Sequence, residues 1–238
     1  MVVRLVTSLA AVTLLAGCST AEGMRAQELL QQAEAAQARL GSATFDGSVG
    51  VSADGESFRM LFEGATSKEG EWFSMRTQGA PDGDMRMQVV VRGGRAWLNM
   101  DGRWQATPVP GAADSGGTIS AAAFQQLARH VEDVRVTEHQ LVGGKPVTTI
   151  AGEIDTEGML ESLLDLGSFA EGFSLDFSEL GIDIGDIHAV LTIDERTQLL
   201  DSAFVTLAMS AEGKSIELEL RYRLASVNEP VSLPSPRG

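Results

Sequence analysis

The chain has 238 residues, enough for one large domain or two small ones that bury a sizeable core. Its 33 Asp and Glu residues outnumber its 18 Lys and Arg residues and give a net charge of −15, which argues against nucleic acid as a partner and equally against a basic patch for anionic lipid head groups. A single cysteine, Cys18, excludes an intramolecular disulfide.

The N-terminal segment combines one basic residue, Arg4, with an apolar run over residues 5–16. This run is about a dozen residues long, shorter than the ~20 residues of a membrane-spanning helix and typical of a secretory signal. It ends in Leu15-Ala16-Gly17-Cys18, which resembles the lipobox of bacterial lipoproteins, where small residues admit the peptidase and the cysteine accepts the lipid. The resemblance implies a signal peptide over residues 1–17, a lipidated Cys18 with a short tether over residues 18–23, and a location at the extracytoplasmic face of the cell membrane.

Residues 24–238 are interpreted as a single domain that begins with a helix and continues as a run of strands. Residues 24–40 are rich in Ala, Gln, Glu and Leu and stop at Gly41, which predicts a helix with a glycine cap. From Ala43 onward, apolar and polar residues alternate with the period of two that is typical of half-buried strands. Dipeptides that favour tight hairpin turns separate these strands: Asp54-Gly55, Gly93-Gly94, Asp101-Gly102 and Gly143-Gly144.

The second half of the chain adds two predicted helices and three closing strands. The helices are predicted over residues 119–130 and 156–166, and the absence of a clean period over residues 167–185 predicts an irregular insertion. The closing strands are predicted over residues 187–193, 200–209 and 216–224. About ten strands and three helices without βαβ alternation predict an α+β fold, in which a large curved antiparallel sheet forms a half-open barrel and a few helices cover or plug its concave face.

The sequence lacks the common motifs of catalysis and metal binding. The histidines His130, His139 and His188 form no pair at metal-ligand spacing, and no cysteine complements them. Neither a nucleophile elbow nor a phosphate-binding glycine loop is present. The acidic residues between positions 176 and 186 lack the spacing of a calcium loop. We therefore expect no catalytic residue, no metal and no cofactor, and we interpret the chain as a protein that is not an enzyme.

The predicted sheet carries many flexible apolar side chains. Four of the nine methionines lie at predicted strand positions close to phenylalanines: Met60, Met75, Met85 and Met87. Methionine adapts to apolar partners of varied shape. An ordinary core that happens to use methionine explains the same residues, but three helices are few for covering so large a sheet, and this favours an apolar pocket.

Several phrases of the chain support a family resemblance: Leu40-Gly41-Ser42-Ala43-Thr44-Phe45, Arg92-Gly93-Gly94-Arg95-Ala96-Trp97-Leu98, Leu191-Thr192-Ile193-Asp194, and Tyr222-Arg223 followed by Asn228-Glu229-Pro230-Val231. With the lipobox and the curved sheet, they resemble the LolA/LolB-like superfamily, and most closely its LppX/LprG-type lipoproteins of actinobacteria. The resemblance implies a sheet that wraps an apolar pocket for the acyl chains of lipids or lipoproteins in transit. It implies no shared catalytic residues.

The apolar strand positions predict the lining of this pocket: Phe45, Val49, Phe58, Met60, Phe62, Met85, Met87, Val89, Leu191, Leu218 and Leu220. The predicted function is to bind acyl chains and to take part in the transport or localisation of a lipid or lipoprotein. The expected partners are a lipid or acylated ligand, the membrane through the anchor on Cys18, and a membrane protein of the transport process. The alternative is an anchored structural or sensory domain that has no ligand cavity and acts through a protein partner.

Overall fold

The structure, a computed structural model, describes residues 9–79, 83–100, 102–107, 130–155, 182–211 and 213–236. The described residues contain one helix, α1 (Leu9–Gln37), and eleven strands. The strands are β1 (Ser42–Ala53), β2 (Glu56–Ser67), β3 (Gly70–Gln78), β4 (Arg86–Arg92), β5 (Arg95–Met100), β6 (Arg103–Thr107), β7 (Val131–Val142), β8 (Lys145–Ile154), β9 (Ile182–Asp194), β10 (Leu199–Ala211) and β11 (Lys214–Val227).

All eleven strands belong to one antiparallel sheet in the order β6-β5-β4-β3-β2-β1-β11-β10-β9-β8-β7. Strands β1–β6 form one meander and strands β7–β11 form a second, and within each meander every strand pairs with its neighbours in sequence. The pairing of β1 with β11 joins the two meanders at the centre of the sheet, and β6 and β7 are the open edges. We call the end where β1 turns into β2 the lower end of the sheet, and the end where α1 leads into β1 the upper end. The predicted half-open sheet is thus confirmed.

Tight turns fix the register of the hairpins. Asp54 and Gly55 join β1 to β2 with φ angles of 53° and 83°. Positive φ at both positions defines the turn whose twist matches that of the flanking strands, and Asp-Gly is a preferred pair for it. Gly93-Gly94 and Gly143-Gly144 connect the next predicted hairpins with positive φ angles in the same way. These hairpin predictions are confirmed.

The two faces of the sheet differ in polarity, because alternate side chains of each strand point to opposite faces. The inner face carries Phe45, Phe62 and Tyr222, and α1 packs on it through its buried Ala26 and Leu30. The helix contacts β7 and β10. The inner face therefore holds the core and the outer face is mostly polar.

The predicted helix ends earlier than expected. Gln37 is its last residue, and Leu40 follows in a turn in which its N–H donates to the carbonyl oxygen of Gln37 at 3.0 Å. Gly41 is not a left-handed cap. Its N–H donates instead to Oδ1 of Asn228 at 3.0 Å, so a contact with the end of β11 replaces local capping. At its other end, α1 includes the predicted tether, residues 18–23.

The prediction of an irregular segment is wrong in its last part, because β9 begins at Ile182. Ile187 pairs with Leu207 and Ile184 pairs with Met209, so β9 contains one more residue than β10 over this interval. Such a bulge shifts the alternation and hides the strand from a period-two pattern. The predicted helices over 119–130 and 156–166 lie outside the described residues, apart from His130 in a turn. Across the described segments, no helix has both the length and the apolar character needed to cross a bilayer.

Candidate functional site

The strand register places ten of the eleven predicted lining residues on the inner face. They are Phe45, Val49, Phe58, Met60, Phe62, Met87, Val89, Leu191, Leu218 and Leu220. Met85 differs, because it precedes β4 and its side chain is 42% exposed. Its N–H donates to Oγ1 of Thr77 at 2.7 Å, which places it at the lower rim of the sheet. That these residues line a ligand pocket stays a prediction.

Burial divides these residues into two groups. The buried group is Phe45, Phe62, Val89 and Leu191. The partly exposed group is Val49, Phe58, Met60, Met87, Leu218 and Leu220. On β1 and β2 the buried positions lie towards the upper end and the partly exposed positions towards the lower end. The inner face thus has a packed upper part and a lower part where apolar side chains keep accessible surface.

The packed upper part is built on aromatic rings over glycines. Phe45 of β1 lies opposite Gly64 of β2, and Phe62 of β2 lies opposite Gly47 of β1. A Cβ added at Gly64 would overlap the Phe45 ring, and one at Gly47 would overlap both the Phe62 ring and the carbonyl oxygen of Arg221. The glycines therefore give the rings the space to lie against the sheet.

Further rings extend this aromatic row across neighbouring strands. The Phe45 and Tyr222 ring centroids are 6.0 Å apart, and those of Phe62 and Phe73 are 6.1 Å apart. Tyr222 is 2% exposed, and its burial, followed by the charges of Asp201 and Asp46, raises the pKa of its phenol above the usual range. The hydroxyl is therefore neutral at physiological pH, and the row adds no charge to the inner face.

A row of methionines crosses the lower part of the inner face. Met75 of β3 pairs with Met87 of β4, which pairs with Met100 of β5. Met75 also lies opposite Phe62. Met75 and Met100 are not among the predicted lining residues, although Met75 follows Phe73 by two residues and therefore shares its face. Flexible thioethers give this part of the face a surface that adapts to apolar partners.

A cluster of three hydrogen-bonded polar side chains, Thr148, His139 and Glu195, lies at the upper end of the sheet. The hydroxyl of Thr148 lies 2.8 Å from Nδ1 of His139 and donates to Oε1 of Glu195 at 2.6 Å, and this Nδ1 and Oε1 are 3.0 Å apart. These hydrogen bonds, with a smaller Coulombic effect of His139, hold the pKa of Glu195 below its ordinary value against the cost of burial.

The geometry of this cluster is that of a structural clamp. Thr148 is 1% exposed, and its hydroxyl and Glu195 converge on the same nitrogen of His139, whereas in a nucleophilic triad the base and its orienting acid use different ring nitrogens. The cluster ties the turn between β9 and β10 to the hairpin of β7 and β8. The described part of the chain holds no group of three His, Cys, Asp or Glu residues arranged for a metal ion.

Comparison with known proteins yields similar structures but no similar sequences. No family model matches the chain, and no curated protein matches it at a significant level. LprF from Mycobacterium bovis is 15% identical over 90% of this chain and 98% of its own, with a TM-score of 0.49. The lipoprotein LppX from Mycobacterium tuberculosis is 16% identical over 87% of this chain and 99% of its own, with a TM-score of 0.42. LppX is one of the proteins after which the family suggested by the sequence is named, and at these identities and TM-scores the family resemblance stays a prediction.

Proposed function

We propose that this chain is an envelope lipoprotein that binds the acyl chains of a lipid or lipoprotein on the inner face of its sheet and takes part in their transport or localisation. Residues 1–17 are its signal peptide, Cys18 carries the acyl anchor, residues 18–23 are the tether, and residues 24–238 are the binding domain. The anchor holds the domain at the extracytoplasmic face of the cell membrane.

The partial exposure of the lower inner face supports this proposal most directly. Val49, Met60 and Leu218 belong to one continuous apolar face, yet each keeps accessible surface. Each methylene buried there contributes about 0.8 kcal/mol, so a long acyl chain binds without any polar contact. A binding role of this kind needs no catalytic residue, and the neutral Tyr222 opposes no apolar guest.

Organic extraction of the purified mature protein, followed by mass spectrometry, tests the proposal. The covalent anchor stays on the protein, so any lipid in the extract was bound without a covalent bond. We expect a stoichiometric amount of an acylated molecule. An extract that contains no lipid contradicts the proposed function.

A matched pair of substitutions on β2 tests where the ligand lies. Met60→Trp fills the lower inner face, whereas Leu61→Trp places the same ring on the outer face of the same strand. We expect Met60→Trp to lower the bound lipid several-fold while the urea midpoint changes little, and Leu61→Trp to leave the bound lipid unchanged. If Met60→Trp instead destabilises the fold by about 1–3 kcal/mol, as overpacking of a filled core does, the alternative of a structural domain without a cavity is supported.

A further inference from the structure

Three arginines lie together on the outer face at the lower end of β2, β3 and β4. Arg76 and Arg86 are directly opposite each other across β3 and β4. Arg59, which pairs with Gln78, is on the next row of β2 and β3. We call Arg59, Arg76 and Arg86 the arginine strip. The low overall Lys and Arg content argued against a basic patch, but the sheet assembles one locally from residues that are distant in sequence.

Among the residues that the structure describes, the arginine strip has no anionic partner, although other arginines of the sheet do. Arg92 contacts Glu69 at 2.6 Å, Arg221 contacts Glu219 at 3.0 Å, and Arg223 contacts Asp46 at 2.8 Å. In the described structure, none of the three strip arginines makes such an ion pair. Like charges directly opposite each other in a sheet are destabilising, so the pair of Arg76 and Arg86 costs stability that an external anion would offset.

A depression of about 330 Å³ next to the strip can admit an anionic group. Arg76, Arg86 and the buried Ser74 line it together with the carboxylates of Asp46 and Glu63. Asp46 already accepts hydrogen bonds from Arg223 at 2.8 and 3.2 Å. Of the two carboxylates that line the depression, Glu63 is the one not engaged by an arginine, and the two lining arginines, Arg76 and Arg86, outweigh it.

Apolar side chains at the same strand ends favour a membrane surface over a dissolved anion as the partner of the arginine strip. Met60, Met75 and Met87 lie on the inner face behind the strip, and Met85 is 42% exposed at the rim between β3 and β4. Cationic side chains beside accessible apolar ones suit the boundary between lipid phosphates and acyl chains. A dissolved phosphate would use the arginines but not the methionines.

The β7–β8 edge of the sheet, on the other side of the central strands from the arginine strip, carries acidic side chains. Glu132 and Asp133 of β7 and Glu153 of β8 lie at the lower end of that edge and are exposed. An anionic surface therefore attracts the lower end of β2, β3 and β4 and repels the lower end of β7 and β8. We infer that the arginine strip docks the domain on the phosphates of an anionic membrane and sets the lower end of the sheet, rather than either of its faces, against the bilayer, an inference that rests on the proposed anchor for keeping the domain near the membrane.

A fluorescent probe at the rim tests this orientation on the mature, acylated protein. Because the lipid occupies the thiol of Cys18, a cysteine introduced by Gln78→Cys is the single free thiol, and an environment-sensitive dye attached to it reports contact with lipids that carry a quencher. Lys68→Cys, exposed in the turn at the upper end, is the matched control. The protein is reconstituted in vesicles of phosphatidylcholine alone and of phosphatidylcholine mixed with phosphatidylglycerol.

We expect phosphatidylglycerol to increase quenching at position 78 and to leave position 68 unchanged. Each Arg→Gln substitution in the strip should weaken docking about fivefold, and high salt should abolish it. Equal quenching at the two positions, or in the two kinds of vesicle, overturns the inference.

Stability measurements separate docking from a structural role of the strip. Arg76→Gln relieves a like-charge pair, so the urea midpoint should stay constant or rise, whereas a structural arginine would lower it. A protein that does not float with phosphatidylcholine vesicles contradicts the proposed anchor. In that case the strip still predicts flotation with vesicles that contain phosphatidylglycerol, and its absence there contradicts the strip as well.

Discussion

Two glycines allow aromatic rings to lie close against the central strands β1 and β2. The triplets Phe45-Asp46-Gly47 and Phe62-Glu63-Gly64 repeat the same order of residue types on paired strands. In this antiparallel register, each phenylalanine lies opposite the glycine of the other triplet. A ring placed over a glycine compensates for the side chain that the glycine lacks. The aromatic row of the inner face follows from this reciprocal arrangement.

Gly64→Ala should destabilise the fold by about 1–3 kcal/mol, because its Cβ overlaps the buried Phe45 ring. Gly50→Ala on β1 is the control, since a Cβ there would lie 3.9 Å from the Cβ of Glu219, an ordinary contact. Urea denaturation of both variants measures the difference. Equal stabilities would mean that the rings have room to move away from the sheet.

Glu195 gives the upper end a defined response to acid. Since folding lowers the pKa of Glu195 below its ordinary value of 4.5, the carboxylate stabilises the folded state above that pH, and the contribution is lost as the pH falls through the lowered pKa. Glu195→Gln should therefore lower the urea midpoint at neutral pH and lose this effect in acid. Glu138→Gln, an exposed carboxylate of β7, is the control. A difference from wild type that does not vary with pH would contradict the prediction.

At the scale of the elements, α1 is the one helix among the described residues, and it covers part of the inner face of the sheet. Leu30 is 8% exposed and belongs to the same buried cluster as Val134 of β7 and Val205 of β10. Leu30→Ala should cost about 2–5 kcal/mol through lost burial and the cavity left behind. Gln31→Ala, an exposed neighbour on α1, should change stability by less than about 0.5 kcal/mol. Thermal unfolding of the two variants tests whether the helix belongs to the cooperative fold.

The sequence predicts the elements that local rules govern and misses those that depend on distant contacts. Asp54-Gly55 and the alternation of β11 define turns and faces by themselves, and both agree with the structure. The end of α1 is different, because Asn228 binds the N–H of Gly41 from the other end of the chain. The start of β9 is hidden in the same way by a bulge that only its pairing with β10 reveals.

The predicted lining follows the same division. Ten residues share the inner face because period-two alternation assigns faces within each strand, whereas Met85 falls outside β4 because alternation does not say where a strand begins. The row of Met75, Met87 and Met100 depends on the register of three strands. The arginine strip depends on register too, which is why composition could not predict it.

At the scale of the whole molecule, polarity is organised in two directions. Across the sheet, an apolar inner face opposes a mostly polar outer face. Along the lower end, Arg76 and Arg86 on β3 and β4 contrast with Glu132 and Asp133 on the edge strand β7. The apolar inner face suits the binding of an apolar ligand. The charge difference along the lower end suits orientation on a charged surface, and a domain held at a membrane would use both. The proposed anchor on Cys18 would make that combination effective.

Cys18→Ala tests the anchor in the full chain. Without the thiol, no lipid can be attached, and the variant should retain residues 1–17 and lack the acyl mass that we expect on the wild-type protein. Intact-mass spectrometry of the protein purified from a bacterial host that processes lipoproteins distinguishes the two products directly. Ser19→Ala, one residue further along, should be processed and acylated like the wild type. If wild type and Cys18→Ala have the same processed mass apart from the substitution, residues 1–17 are removed by another route and Cys18 is not the anchor.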